Sequence, residues 1–171
     1  GKYPAMKMPQ RADLQTENVR QLVAKTELWL EAQRTYLPKP IARSLNIVGR
    51  QLDELEPQLD EVDQKHPTAI EIRKLVGQDL PDLIEGFLKI PESLRYEDRG
   101  GTNPVKQLEK GLDTISRELA SINRQLAQGS IDDLDIRSRY LDYKYSVNIG
   151  SESTDHGVPL PDFNLDKTKA S

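Results

Sequence analysis

Val105, Leu108, Leu112, Ile115, Leu119, Ile122 and Leu126 follow one another at alternating three and four residues. That spacing is an a/d seam held over just more than three heptads, and it predicts a helix over residues 104–128. Asn103 stands as its N-cap, Pro104 occupies the first helical position and Gly129 marks its end. A second apolar series, Ile41, Leu45, Val48, Leu52, Leu55, Leu59 and Val62, repeats the alternation. Pro57 falls inside it, and because the register survives the proline, a kinked helix is favoured over two separate ones. A helix from about Asp13 to Tyr36 is predicted by the wide face of Val19, Leu22, Val23, Thr26, Trp29, Leu30, Gln33, Tyr36 and Leu37. The only tryptophan lies on that face and reads as a core anchor. Leu37-Pro38-Lys39-Pro40 breaks this helix.

Thr68 with Glu71 is a capping-box pattern that opens a further helix, whose apolar side is Ile72, Leu75, Val76, Leu80, Leu83, Ile84, Phe87 and Leu88. Gly77 and Pro81 weaken its middle, where a kink or short break is expected. Residues 91–103 are polar, with Gly100-Gly101 as a flexible pair, and form either a crossover or a mobile loop. Gly129-Ser130 is expected to turn the chain into a short fifth helix that carries Ile131, Leu134, Ile136, Tyr140 and Leu141 and ends near Tyr145. The fold class is therefore all-α: a single-chain antiparallel bundle of four to five helices, some kinked at proline. Residues 1–12 are read as a flexible arm, 13–146 as the bundle, and 147–171 as a disordered tail.

Composition narrows the function more than it names one. The 171 residues suffice for one domain with a core. Charged residues make up 30% and hydrophobic ones 36%, which fits helices with narrow apolar stripes and wide solvated faces. A net charge of −4, from scattered Lys and Arg, leaves no basic block for a nucleic acid. The chain has no cysteine, which removes disulfides, thiolate catalysis and Cys-ligated zinc, and fits a cytoplasmic setting. No apolar run spans a bilayer, so membrane attachment is expected only through a segment outside this sequence, which begins with Gly1 rather than Met.

Candidate chemistry is sparse. His66, three residues after Asp63, is a single imperfect copy of the Glu-x-x-His pattern of di-iron bundles and reads instead as a helix-end histidine. Asp132, Asp133 and Asp135 read as first-turn acids that cap a helix and complement its dipole. Neither a phosphate-binding loop nor a serine nucleophile elbow is present, and no cofactor is expected. Tyr140, Tyr143 and Tyr145 cluster with Arg137, Arg139 and Lys144, either as an edge covering the bundle or as a partner or headgroup contact. Val158, Leu160, Phe163 and Leu165 gather apolar residues in the tail and form a candidate linear motif. The candidate partner-binding residues are thus Arg137, Tyr140, Tyr143, Lys144, Tyr145, Val158, Leu160, Phe163 and Leu165.

Two stretches carry a resemblance. Residues 79–91, DLPDLIEGFLKIP, and residues 108–143, with LAQGSIDDL in their middle, are similar to the C-terminal helical region of the 5-bromo-4-chloroindolyl phosphate hydrolysis protein family. The similarity covers about residues 68–143 and rests on leucine, proline and acidic positions. It implies a bacterial, cytoplasmic, membrane-tethered helical protein, and transfers no catalytic residue. The function expected first is a non-catalytic interaction domain with a protein partner. The alternatives are an enzyme or accessory factor in phosphate-ester hydrolysis, and a self-assembling coiled-coil module. Within residues 104–128 the e-type positions Glu109, Ser116 and Asn123 and g-type positions Gly111, Glu118 and Gln125 lack complementary charge. The seam is therefore expected to pack within its own chain, and the protein to be a monomer.

Overall fold

A computed structural model describes residues 9–11 and 18–152, with the backbone alone over 146–152. Five α-helices account for most of the described chain: α1 Val19–Gln33, α2 Ala42–Leu55, α3 Pro67–Lys74, α4 Leu80–Leu88 and α5 Pro104–Glu152. No strand occurs among the described residues, and the protein is all-α. The chain divides into two compact units, Gly1–Ala127 and Gln128–Ser171.

The first unit has one continuous apolar core, in which every a and d residue from Val105 to Ile122 is buried and Leu126 packs against the edge. Leu45, Val48, Leu52, Leu55 and Leu59 supply the matching stripe from α2 and the 3-10 turn after it. Leu22, Val23, Trp29 and Leu30 of α1 fill the same core, as expected for Trp29 as an anchor. Fully burying a leucine side chain contributes about 1.5–3 kcal/mol. Position 111 shows how closely the helices approach: a Cβ added to Gly111 would lie 2.7 Å from Leu83 Cδ2 of α4. Asn123 is 3% exposed and fully engaged. Its Oδ1 accepts from Gln58 Nε2 at 3.0 Å, and its Nδ2 donates to the Gln51 carbonyl at 3.1 Å. This polar pair of contacts fixes the register of α5 against α2 within the apolar seam.

The prolines are absorbed in different ways. Pro57 stands in a 3-10 turn, Glu56–Leu59, that tightens the end of α2 without moving Leu59 off the buried face. Pro81 removes the N–H that an α-helix would direct to residue 77. The chain responds by widening: Leu75–Asp79 is a π turn, in which the Leu80 N–H reaches the Leu75 carbonyl. α3, the π turn and α4 thus run on without a break, and the irregularity expected at Gly77 and Pro81 is taken up by the π turn.

Several local expectations are corrected. α1 begins at Val19, because Asn18 has an extended backbone and its side chain accepts from the Gln21 N–H at 2.9 Å. At the other end the helix tightens to a 3-10 turn over Arg34–Tyr36, which turns Tyr36 out to 65% exposure. α3 is capped by His66 rather than by Thr68: His66 Nδ1 accepts from the Thr68 N–H at 3.0 Å, with Pro67 in the first position. Gly100 and Gly101, expected as a flexible pair, form a defined turn. Their φ values of 61° and 87° make a tight turn closed by Arg99 N–H to Thr102 O at 2.6 Å and by the Thr102 N–H returning to Arg99 O. Asn103 caps α5 as expected, its Oδ1 accepting from the Lys106 N–H at 2.9 Å. Of the N-terminal arm, Arg11 is ion-paired with Asp82 at 2.6 Å and with Glu85, both on α4.

The second unit changes the picture most. α5 runs through Gly129 and Ser130 to Glu152, so there is no turn at 129–130 and no separate fifth helix. Gly129 lacks the left-handed backbone of a helix stop, and inside a helix it costs only about 1 kcal/mol relative to alanine. Residues 147–152, expected in a disordered tail, are helical, and residues 153–171 lie outside the described residues.

Two substitutions test this packing. Leu112→Asp buries an unpaired carboxylate and should destabilise the first unit by about 4 kcal/mol or more, seen as loss of the cooperative thermal transition. A folded variant changed only in oligomeric state would refute the intrachain seam. Gly111→Leu should cost roughly 1–3 kcal/mol in chemical denaturation, because the new side chain meets Leu83.

Candidate functional site

Within the second unit every described side chain from Gln128 to Tyr145 is exposed. Among them are seven large apolar or aromatic residues, with Leu134 at 69% and Tyr143 at 71% exposure. At 100° per residue these fall on two stripes of the helix. Ile136, Tyr140 and Tyr143 share one stripe, and Ile131, Leu134, Leu141 and Tyr145 the other. Between the stripes lie Arg137 and Lys144 on one side and Asp135 and Asp142 on the other.

The tyrosines expected to act together are therefore separated. Tyr140 and Tyr143 share a face, with Lys144 Nζ 5.9 Å from the Tyr140 ring centroid, at the outer limit of a cation–π contact. Tyr145 belongs with Leu141 on the other stripe. Arg137 projects from the helix between the two. Val158, Leu160, Phe163 and Leu165 lie outside the described residues.

Asp132, Asp133 and Asp135 do not cap a helix, because α5 began 28 residues before Asp132 (132 less 104) and no free N–H groups remain there. Asp135 instead pairs with Arg139 one turn on at 2.7 Å, and Asp132 Oδ1 accepts from Gln128 Nε2 at 3.0 Å. They are solvated helix-surface acids. Among the described residues no group of three or more His, Cys, Asp or Glu side chains is placed to hold a metal. Nor is any described helix long and apolar enough to cross a membrane.

The first unit carries a cleft that the sequence reading missed. It has a volume of about 660 Å³ and lies between Tyr36, Leu37, Pro38, Leu88, Arg95 and Tyr96. Arg95 is already committed: its Nε donates to the Ile90 carbonyl at 2.9 Å and its guanidinium stands 4.8 Å above the Phe87 ring. It closes the C-terminal end of α4 rather than offering a free charge to a ligand. The cleft offers two exposed tyrosines, Tyr36 and Tyr96. The signal in the sequence was weak: Tyr36 is followed by the Pro38 and Pro40 break and Tyr96 lies in the segment after Pro91.

Glu27 on α1 is the one perturbed carboxyl among the described residues. Burial, a hydrogen bond to Asp53 on α2 and the nearby charges of Asp53, Glu56 and Glu31 push its pKa up to about 8. The pair joins two helices and, among the described residues, belongs to no group placed to hold a metal, so it reads as a pH-sensitive contact in the bundle.

The chain matches no protein-family model, no curated protein and no solved structure. The resemblance over residues 68–143 consequently rests on its leucine, proline and acidic positions alone.

Because the folded-state pKa of Glu27 is raised, its proton favours folding. That contribution is complete below the ordinary carboxyl pKa of 4.5 and is lost as the pH rises through about 8. The melting temperature should fall between pH 5 and pH 9, and Glu27→Gln should flatten that fall. An unchanged slope in the variant would refute the assignment.

Proposed function

We propose that the chain is a non-catalytic helical interaction domain. Its first unit is a self-sufficient core, and its second presents α5 to a protein partner. The observation that supports this reading is the complete exposure of residues 128–145 together with the concentration of large apolar side chains there. Monomeric soluble proteins rarely leave contiguous apolar patches uncovered without a use for them. The stripe of Ile136, Tyr140 and Tyr143, flanked by Arg139 and Lys144, has the composition of an interface centre: aromatics for area, arginine and lysine at the rim. The segment favours a protein partner over a nucleic acid, since its three basic residues are outnumbered by four aspartates and form no basic patch. We place the domain in the cytoplasm on its cysteine-free composition; that it belongs to a bacterial, membrane-tethered protein is what the resemblance over residues 68–143 suggests. Among the described residues, hydrolysis of a phosphate ester gains no metal-binding cluster.

The test is a crosslinking pull-down from the native cell, run in parallel with the wild-type chain and a Tyr140→Ala/Tyr143→Ala variant. Each tyrosine removed from an interface centre costs about 2 kcal/mol, so enrichment of the specific partner should drop by well over tenfold. Equal recovery of the same proteins by both chains would end this assignment. So would turnover of an aryl phosphate by the purified wild-type protein.

A further inference from the structure

The second apolar stripe of residues 128–145 has an internal order that the tyrosine stripe lacks. Ile131, Leu134, Ser138, Leu141 and Tyr145 follow at three, four, three and four residues. In heptad terms Ile131, Ser138 and Tyr145 are a positions, and Leu134 and Leu141 are d positions. All five side chains are exposed. An a/d seam in this state needs another helix.

The flanks of this seam identify that helix. In the same frame the e positions are Gln128, Asp135 and Asp142 and the g positions are Ser130, Arg137 and Lys144. Every charged residue on one flank is acidic and every charged residue on the other is basic. When two such helices lie parallel and in register, each g residue faces the e residue five positions on in its partner. Arg137 then meets Asp142 of the second copy, and by the two-fold symmetry this occurs twice. An antiparallel pair would set e against e and g against g, bringing Asp beside Asp and Arg beside Lys. Leucine fills both d positions, and the one aliphatic a position, Ile131, is β-branched, the combination that favours two strands. Ser138 places one polar group in the seam, which costs stability and opposes slippage of the register.

We infer that residues 128–145 of two copies of this chain associate as a parallel, in-register, two-stranded coiled coil. The occupant of the Ile131–Leu134–Leu141–Tyr145 stripe is the same stripe of a second copy. The expectation of a monomer rested on the seam of residues 105–126, whose flanks lack this complementarity and whose residues are buried within the chain. The dimer leaves Ile136, Tyr140 and Tyr143 at the outward f and c positions. Self-association therefore stands apart from the partner proposed above, and either reading can fail without the other. With five core residues over about two heptads the pairing is short, so the dimer dissociates reversibly rather than being permanent.

Sedimentation equilibrium of the full chain, from low micromolar to near-millimolar concentration, should fit a monomer of 19.4 kDa in equilibrium with its dimer. Leu134→Lys should abolish the dimer and keep the thermal transition of the first unit, because Leu134 is exposed. Arg137→Asp should weaken association on the order of tenfold by exchanging two attractive contacts for repulsive ones. Adding Asp142→Arg to that variant should restore it. Since the chain has no cysteine, Ile131→Cys reports strand direction. A disulfide-linked dimer on oxidation is expected for parallel strands, whereas antiparallel strands centred on Ser138 would hold the two sulfurs roughly 20 Å apart. A monomer at every concentration overturns the inference and leaves the stripe to a different protein. A dimer indifferent to Leu134→Lys, a charge exchange that fails to rescue, or no crosslink at position 131 overturns it equally.

Discussion

Leu108, Leu112, Leu119 and Ile122 are withdrawn from water completely or nearly so, and the first unit takes its form from what that withdrawal requires. A row of apolar side chains on one helix can be covered only by helices that lie along it. α2 meets the row with a stripe of the same period, and α4 approaches so closely that a side chain at position 111 would have to displace Leu83. Each buried leucine contributes about 1.5–3 kcal/mol, so the sum over the seam outweighs the local penalties elsewhere. Asn123 adds direction rather than energy. Its two hydrogen bonds to Gln51 and Gln58 are satisfied in one register only, and a slip of one turn would leave buried polar groups unpaired.

The same requirement explains how the prolines are handled. Pro57 and Pro81 both interrupt a backbone ladder whose apolar side must still reach the core. In one case the chain tightens to a 3-10 turn, and in the other it widens to a π turn. Both solutions keep Leu59, Leu75, Val76 and Leu80 buried. Losing one backbone hydrogen bond costs less than exposing such side chains, so the backbone yields and the side-chain register does not.

This balance determines what could be read from the sequence. The a/d seam, its Asn103 cap, the α2 stripe, the Trp29 anchor and the irregularity near Pro81 were legible, because spacing and burial there carry the same information. The ends of elements were less so. Whether Thr68 or His66 caps α3 depends on which side chain reaches an N–H, and a ring nitrogen two residues away does so as well as a hydroxyl. Gly129 misled for a related reason. Glycine permits a helix to stop but does not compel it, and no positive φ is imposed there. A stop at Gly129 would make the three aspartates first-turn caps; in the continuous helix they are surface acids. The cleft beside Tyr36 and Tyr96 was illegible because it joins residues about sixty positions apart in the chain (96 less 36).

Periodicity also says that a helix has an apolar face without saying whose surface covers it. Residues 105–126 and 131–145 share the alternation of three and four, yet one set is buried and the other exposed. What separates them is the charge beside the stripe. A seam covered by its own chain meets neighbours of different sequence, and its flanks need no self-complementarity; Glu109, Ser116, Asn123, Gly111, Glu118 and Gln125 have none. A seam covered by a copy of itself faces its own flanks, so acid must stand on one side and base on the other, as with Asp135, Asp142, Arg137 and Lys144. Helix propensity points the same way. Gly129, Ser130, Ile131 and Ile136 are poor or middling helix formers, and a short helix of such residues is marginal in water on propensity alone. Nucleation at Asn103 and Pro104 supplies the start of α5, but exposed residues gain nothing from it by burial. Covering the second stripe would supply the term that propensity lacks.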